Sequence, residues 1–149
     1  MKKAIHIEGA PQPIAPYSQA IVAGNMVFVS GQIPKNPFTN ELNMATIEIA
    51  TRQVLDNIIA ILKEAGLTLD NVVKCQVFLK DMADFAAMNA VYGEYFKIVP
   101  PARECVQVAK LPSDVNGNAL VYVGSQDPIT VPVSGNSTVV PVSGLVAGN

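Results

Sequence analysis

The residues of this chain best placed to do chemistry lie in Pro100-Pro101-Ala102-Arg103-Glu104-Cys105-Val106-Gln107-Val108-Ala109-Lys110-Leu111-Pro112. A cation and a thiol sit in a short alternating stretch between two proline stops. In a strand, residues two apart point to the same face. Arg103 and Cys105 then share one face, and Glu104 and Val106 the other. A guanidinium that leads a strand after a rigid Pro-Pro corner suits a small carboxylate, because it offers two parallel donors to two oxygens. The structural alternative is a surface arginine beside a buried cysteine. Nothing close in sequence is an obvious base for the thiol, so Cys105 reads as a wall residue rather than a nucleophile.

Positioning these groups requires a folded domain, and the composition permits one. The chain has 149 residues, half of them hydrophobic and 15% charged. That suits one globular domain with a real core and excludes a disordered chain. The net charge is −2 with no basic run, so the footprint of a nucleic-acid binder is missing. The apolar runs are too short and too interrupted to span a bilayer. Met1-Lys2-Lys3 leads into Ala4-Ile5-His6-Ile7-Glu8, not into a signal-peptide apolar region. Cys75 and Cys105 form no Cys-x-x-Cys pair, and there is one histidine, which argues for free thiols, no metal and a cytoplasmic location.

The elements follow from local pattern. Ala4–Ile7 is a candidate edge strand. Gly9–Pro16 carries three prolines and reads as an ordered loop. Ser18–Val22 and Met26–Ser30 flank Ala23-Gly24-Asn25, a candidate hairpin turn. Ala45–Ala65 has helical spacing and stops at Gly66. Val72–Leu79 reads as a buried strand. Asp81 or Asp84 can cap a second helix running to about Lys97. The Arg103 strand follows, and Ala119–Val123 is a last short strand. This order predicts an α+β fold, with two helices on one face of a mixed sheet.

Two regions look unusual. On the first helix, Val54, Leu55, Ile58, Ile61 and Leu62 form the expected stripe. Ile47, Ile49, Ala50 and Ile59 add apolar bulk beyond it, and Ile98 and Val99 follow the second helix. Ile47, Ile59, Ile98 and Val99 are therefore candidates for an added protein interface, with a wide core contact as the alternative. From Gly124 onward, Asp127 is the one charge, and Val-Pro-Val-Ser-Gly occurs at 131–135 and again at 140–144. The chain divides into a domain over 1–123 and an atypical tail over 124–149. The tail's prolines argue against a central strand.

Five stretches together resemble the RidA family (YjgF-type proteins), the reactive-intermediate imine/enamine deaminases. They are Ile14–Ala20, Val29–Pro34, Thr51–Asn57, Lys74–Asp81 and Pro100–Pro112, in order across residues 4 to about 112. The resemblance implies a chorismate-mutase-like α+β domain that forms a homotrimer. It places a site in each cleft between subunits, with no metal and no organic cofactor. Carried over, Arg103 pairs with the substrate carboxylate and Tyr17 lines the cleft. Ser30 and Gly31 hold a water or an imine nitrogen, and Asn89 contributes from the second helix. Cys105 walls the pocket, and Phe85 lines it or packs in the core. The implied reaction hydrolyses a 2-imino acid or its enamine (2-iminobutanoate, 2-aminoacrylate) to a 2-keto acid and ammonia.

The chain departs from the family pattern near its end. Members with deaminase activity carry a strand of the type Leu-Val-Glu-Ile-Glu-Ala, whose first glutamate handles the water. Here Ala119-Leu120-Val121-Tyr122-Val123-Gly124 puts Tyr122 in that place. The expected functions are a trimeric imine deaminase, weakened by that loss, or a non-catalytic trimeric scaffold. The scaffold reading, which includes an engineered self-assembling protein, draws on the added apolar surface and the tail. A third reading is a small-acid binder that uses Arg103 without turnover.

Overall fold

A computed structural model describes residues 1–112 and the backbone of residues 140 and 141. Strands β1 (Lys2–Ile5), β2 (Ala20–Ala23) and β3 (Met26–Val29) form one antiparallel sheet in that order. Helix α1 (Ile47–Glu64) leads to β4 (Val72–Leu79), helix α2 (Phe85–Tyr95) and β5 (Ala102–Gln107). β4 and β5 are parallel, joined through α2, with Cys75 opposite Arg103 and Val77 opposite Cys105. The short β6 (Val140–Pro141) runs parallel to β4 on the side away from β5.

Local chemistry accounts for most of these elements. Ala23 pairs directly with Met26, so Gly24-Asn25 is a two-residue turn. Gly24 takes φ +60, the left-handed conformation that such a turn asks of its first residue. Thr46 caps α1 by accepting a hydrogen bond from the Ile49 N–H at 3.3 Å. Gly66 ends it at φ +72, where a side chain would be strained. Asp81 caps the single 3-10 turn (Met82–Asp84) that feeds α2. Asp84, the other expected cap, makes no such bond.

The helices pack on one side of the strands. α1 buries Val54, Leu55, Ile58, Ile61 and Leu62 against Val27, Val29, Cys75, Val77 and Leu79, α2 adds Met88 and Tyr92, and Phe96 follows at its C-terminal cap. The expected excess of apolar surface on α1 is smaller than its sequence suggests. Ile47 is buried in the core, so it offers nothing to an added interface. Its place at the first turn faces the sheet like the rest of the stripe. Ile59 is half-buried rather than presented to solvent. Ile98 and Val99 do stand out, at 85% and 82% exposure.

Two polar devices fasten the loops. The buried Gln19 amide accepts from the Ile7 N–H at 2.6 Å, and its Nε2 lies within 3.1 Å of the Ile7, Ala10 and Pro11 carbonyls. It thereby holds the proline loop, whose imino residues cannot donate. Asn43 donates to Gln53, Gln53 donates to Asn57, and Asn57 donates to the Ile33 and Lys35 carbonyls. That chain lays the 31–43 loop on α1.

The expected strand at Ala119–Val123, and Tyr122 within it, lie outside the described residues, as does most of the 124–149 tail. A proline-bearing piece of the tail, Val140–Pro141, pairs with β4. It lies at the edge of the β5-β4-β6 order, where proline is tolerated, in keeping with the expectation that the tail forms no central strand. Its register shifts between Val72 and Lys74.

Substitutions should follow this division between core and cap. Leu55→Ala, at a fully buried position, is expected to cost about 2–5 kcal/mol in denaturant unfolding. Gly66→Ala has open space for its Cβ and should cost only about 1–2 kcal/mol, from backbone strain alone.

Candidate functional site

The β4–β5 register decides which way Arg103 points. Cys75, Val77 and Leu79 of β4 are all fully buried and face the helices. Arg103 and Cys105 lie opposite Cys75 and Val77, so they share that helix-facing side. Glu104 points the other way, where it pairs with Lys74. The alternation expected from sequence is therefore present, and it separates Arg103 from its acidic neighbour.

On its own side, Arg103 meets α2. Its guanidinium carbon lies 4.5 Å from the centre of the Tyr92 ring and 5.8 Å from that of Phe85. Both are within cation–π range. Phe85, Asn89 and Tyr92 are spaced four and three residues apart, which puts Asn89 in the same helical stripe between the two rings. Arg103 and Asn89 are each half-buried.

The groups around this cation stay neutral at ordinary pH. Burial pushes the Cys75 thiol up to about 12, against the opposing pull of Arg103. Burial likewise raises Tyr92, and it raises Cys105 despite the nearby guanidinium. The Tyr92 hydroxyl is buried with no hydrogen-bond partner among the described residues. Cys75 approaches it without reaching hydrogen-bond geometry. The carboxylates of the adjoining elements are paired with other cations. Glu94 forms a two-pronged bond with Arg52 at 2.6 and 2.8 Å, and Glu104 is held by Lys74. Among the described residues, Arg103 has no carboxylate partner.

The remaining candidates form a second group. The Ser30 hydroxyl donates to the Ser18 carbonyl, and the Ser30 N–H donates to the Gln19 carbonyl at 2.9 Å. These bonds fasten the Tyr17 loop to the end of β3, beside Gly31. Tyr17 is 48% exposed. No hydrogen bond or ion pair joins this group to Arg103 among the described residues. The structure thus brings Arg103, Cys105, Phe85 and Asn89 together, and separately Tyr17, Ser30 and Gly31. Sequence reasoning overlooked Tyr92. The available signal was its spacing, seven residues after Phe85 and three after Asn89, on the helix preceding Arg103. No cluster of metal-ligating side chains exists among the described residues, and no helix there is long and apolar enough to cross a membrane.

The raised thiols predict slow alkylation. At pH 7.5, iodoacetamide should modify Cys105 more slowly than free cysteine, because a raised pKa lowers the thiolate fraction. Cys75 should react only after denaturation. Mass spectrometry of the labelled peptides would report both rates.

Comparison with known proteins places this arrangement. Residues 7–117 match the family described as Endoribonuclease L-PSP. A RutC family protein of Pyrococcus horikoshii is 56% identical over 115 residues, covering 77% of this chain and 91% of that protein. Among solved structures, RidA from an Antarctic Psychrobacter is 39% identical with a TM-score of 0.74, over 81% of this chain and 94% of that one. The YjgF gene product of E. coli is 44% identical with a TM-score of 0.74, over 81% and 95%. Nothing in these likenesses supports an engineered or self-assembling scaffold. The chain belongs to the Endoribonuclease L-PSP family, the group that holds the RidA, YjgF and RutC proteins.

Proposed function

We propose that the chain hydrolyses small 2-imino acids, or their enamine tautomers, to 2-keto acids and ammonia, as a homotrimer with sites between subunits. The observation that carries this reading is the Arg103 guanidinium, which has no carboxylate partner among the described residues and is surrounded by neutral groups. A cation so placed favours an anionic ligand, and its planar fork fits a carboxylate in bidentate fashion. The Tyr17–Ser30–Gly31 group makes no hydrogen bond with Arg103 among the described residues, which suits a site completed by a second copy.

The chemistry asks little beyond orientation. A protonated imine is already electrophilic. Water adds to its carbon, and the resulting carbinolamine expels ammonia as the C–N bond breaks and the ketone forms. Holding the carboxylate and positioning the water supply an entropic contribution. Ser30 and Gly31 are assigned to the water or the imine nitrogen, Tyr17 and Phe85 to the cleft walls, and Asn89 to a polar contact. Cys105 serves as a wall, since its thiol is held neutral. No metal or organic cofactor has a role. Proton transfer is the weak point. With Leu120-Val121 aligned to the family strand, Tyr122 takes the place of its glutamate, and a phenol is a poor base at neutral pH. Loss of a general acid or base costs on the order of 100- to 10,000-fold.

A second reading draws support from Ile98 and Val99, whose exposure suits a protein interface. In that reading the trimer serves assembly, and turnover is absent.

Generating 2-iminobutanoate with a threonine dehydratase and following its decay separates the two. Faster decay with this protein, lost at least 10-fold in Arg103→Ala, is the expected result. Arg103→Lys should recover only part, because an ammonium lacks the planar fork. No acceleration by the unmodified protein would overturn the enzymatic reading. Light scattering should give a trimer, and a larger particle that Ile98→Lys reduces to a trimer would favour assembly.

A further inference from the structure

We propose that Tyr92 is the positioning residue of the Arg103 site, its ring face holding the guanidinium so that only the N–H edge is open to a carboxylate. The inference rests on the reading of Arg103 as a carboxylate clamp. The Tyr92 ring is the nearer of the two aromatic faces, 4.5 Å from the guanidinium carbon against 5.8 Å for Phe85. Tyr92 is itself buried and fixed, with its ring packed at 4.6 Å from that of Phe96. A rigid ring therefore backs a long side chain that otherwise has many rotamers. An arginine free to rotate loses more freedom when a ligand binds, which weakens binding.

The hydroxyl supports the same assignment. It is buried and has no hydrogen-bond partner among the described residues. It makes no hydrogen bond that would anchor the fold, so the ring, which lies against the guanidinium, is the part of Tyr92 assigned to hold Arg103. Phe at this position should keep the function, and an aliphatic residue of similar bulk should lose it. A purely structural role gives the same ranking in stability alone, so the Arg103 resonance and probe binding in folded protein are what separate the two.

The test uses 2-oxobutanoate as probe and the Arg103 side-chain NεH resonance as reporter, assigned by its disappearance in Arg103→Lys. In the unmodified protein that resonance should lie upfield of exposed arginines, because it sits over ring faces. Tyr92→Phe should retain the shift and bind the probe within about twofold of the unmodified protein. Tyr92→Leu should lose most of the shift and bind about 10-fold more weakly, with melting used to select conditions where both variants are folded. An unshifted resonance in the unmodified protein overturns the proposal without requiring any variant. Unchanged probe binding in folded Tyr92→Leu overturns it as well. If Arg103→Ala binds 2-oxobutanoate as well as the unmodified protein, the clamp reading itself fails. In that case the ring-shifted resonance still decides whether Tyr92 holds the guanidinium.

Discussion

Everything at the candidate site depends on a charge that has no counter-charge among the described residues. The Arg103 guanidinium lies against the Tyr92 and Phe85 rings, and burial keeps the nearby Cys75, Cys105 and Tyr92 protonated. A carboxylate in this place would neutralise the cation and close the site. The fold prevents that by alternation. Glu104, the adjacent acid, is turned to the far side of the strand and bound to Lys74. Glu94 is held by Arg52 across the α1–α2 contact. The Arg52–Glu94 pair is exposed and adds little to stability. Both carboxylates are paired with other cations rather than with Arg103.

The rest of the molecule serves as a mount for that arrangement. β4 is buried on its helix-facing side and fixes the register of β5. α2 crosses between the two strands and delivers Phe85, Asn89 and Tyr92 along one stripe. α1 carries the core and, through Asn57, holds the 31–43 loop. Gln19 does the equivalent for the proline loop, and Ser30 ties that loop to β3. Each of the two groups is thus fastened within one chain, and in the proposed trimer a second copy would bring them together.

Much of this was legible in the sequence because it is governed by neighbours along the chain. Thr46 and Gly66 bound α1 within two residues of expectation, and Gly24-Asn25 turns the β2–β3 hairpin. β4 spans the expected residues. The shared face of Arg103 and Cys105 followed from strand alternation. What the pattern missed depends on distant contacts. Ile47 looked surplus on a helical wheel, yet the sheet buries it. Tyr92 looked like an ordinary helix aromatic, since its partner lies on another element. The pairing of Val140–Pro141 with β4 joins residues far apart in sequence, and its edge position agrees with the proline rule.

The central claim is that Arg103 makes this a site for a small carboxylate. Calorimetric titration with 2-oxobutanoate and with its uncharged amide tests it most directly. The account predicts that the acid binds and the amide does not, with the acid's affinity lost in Arg103→Ala. Equal binding of acid and amide, or binding of the acid that survives Arg103→Ala, would contradict it.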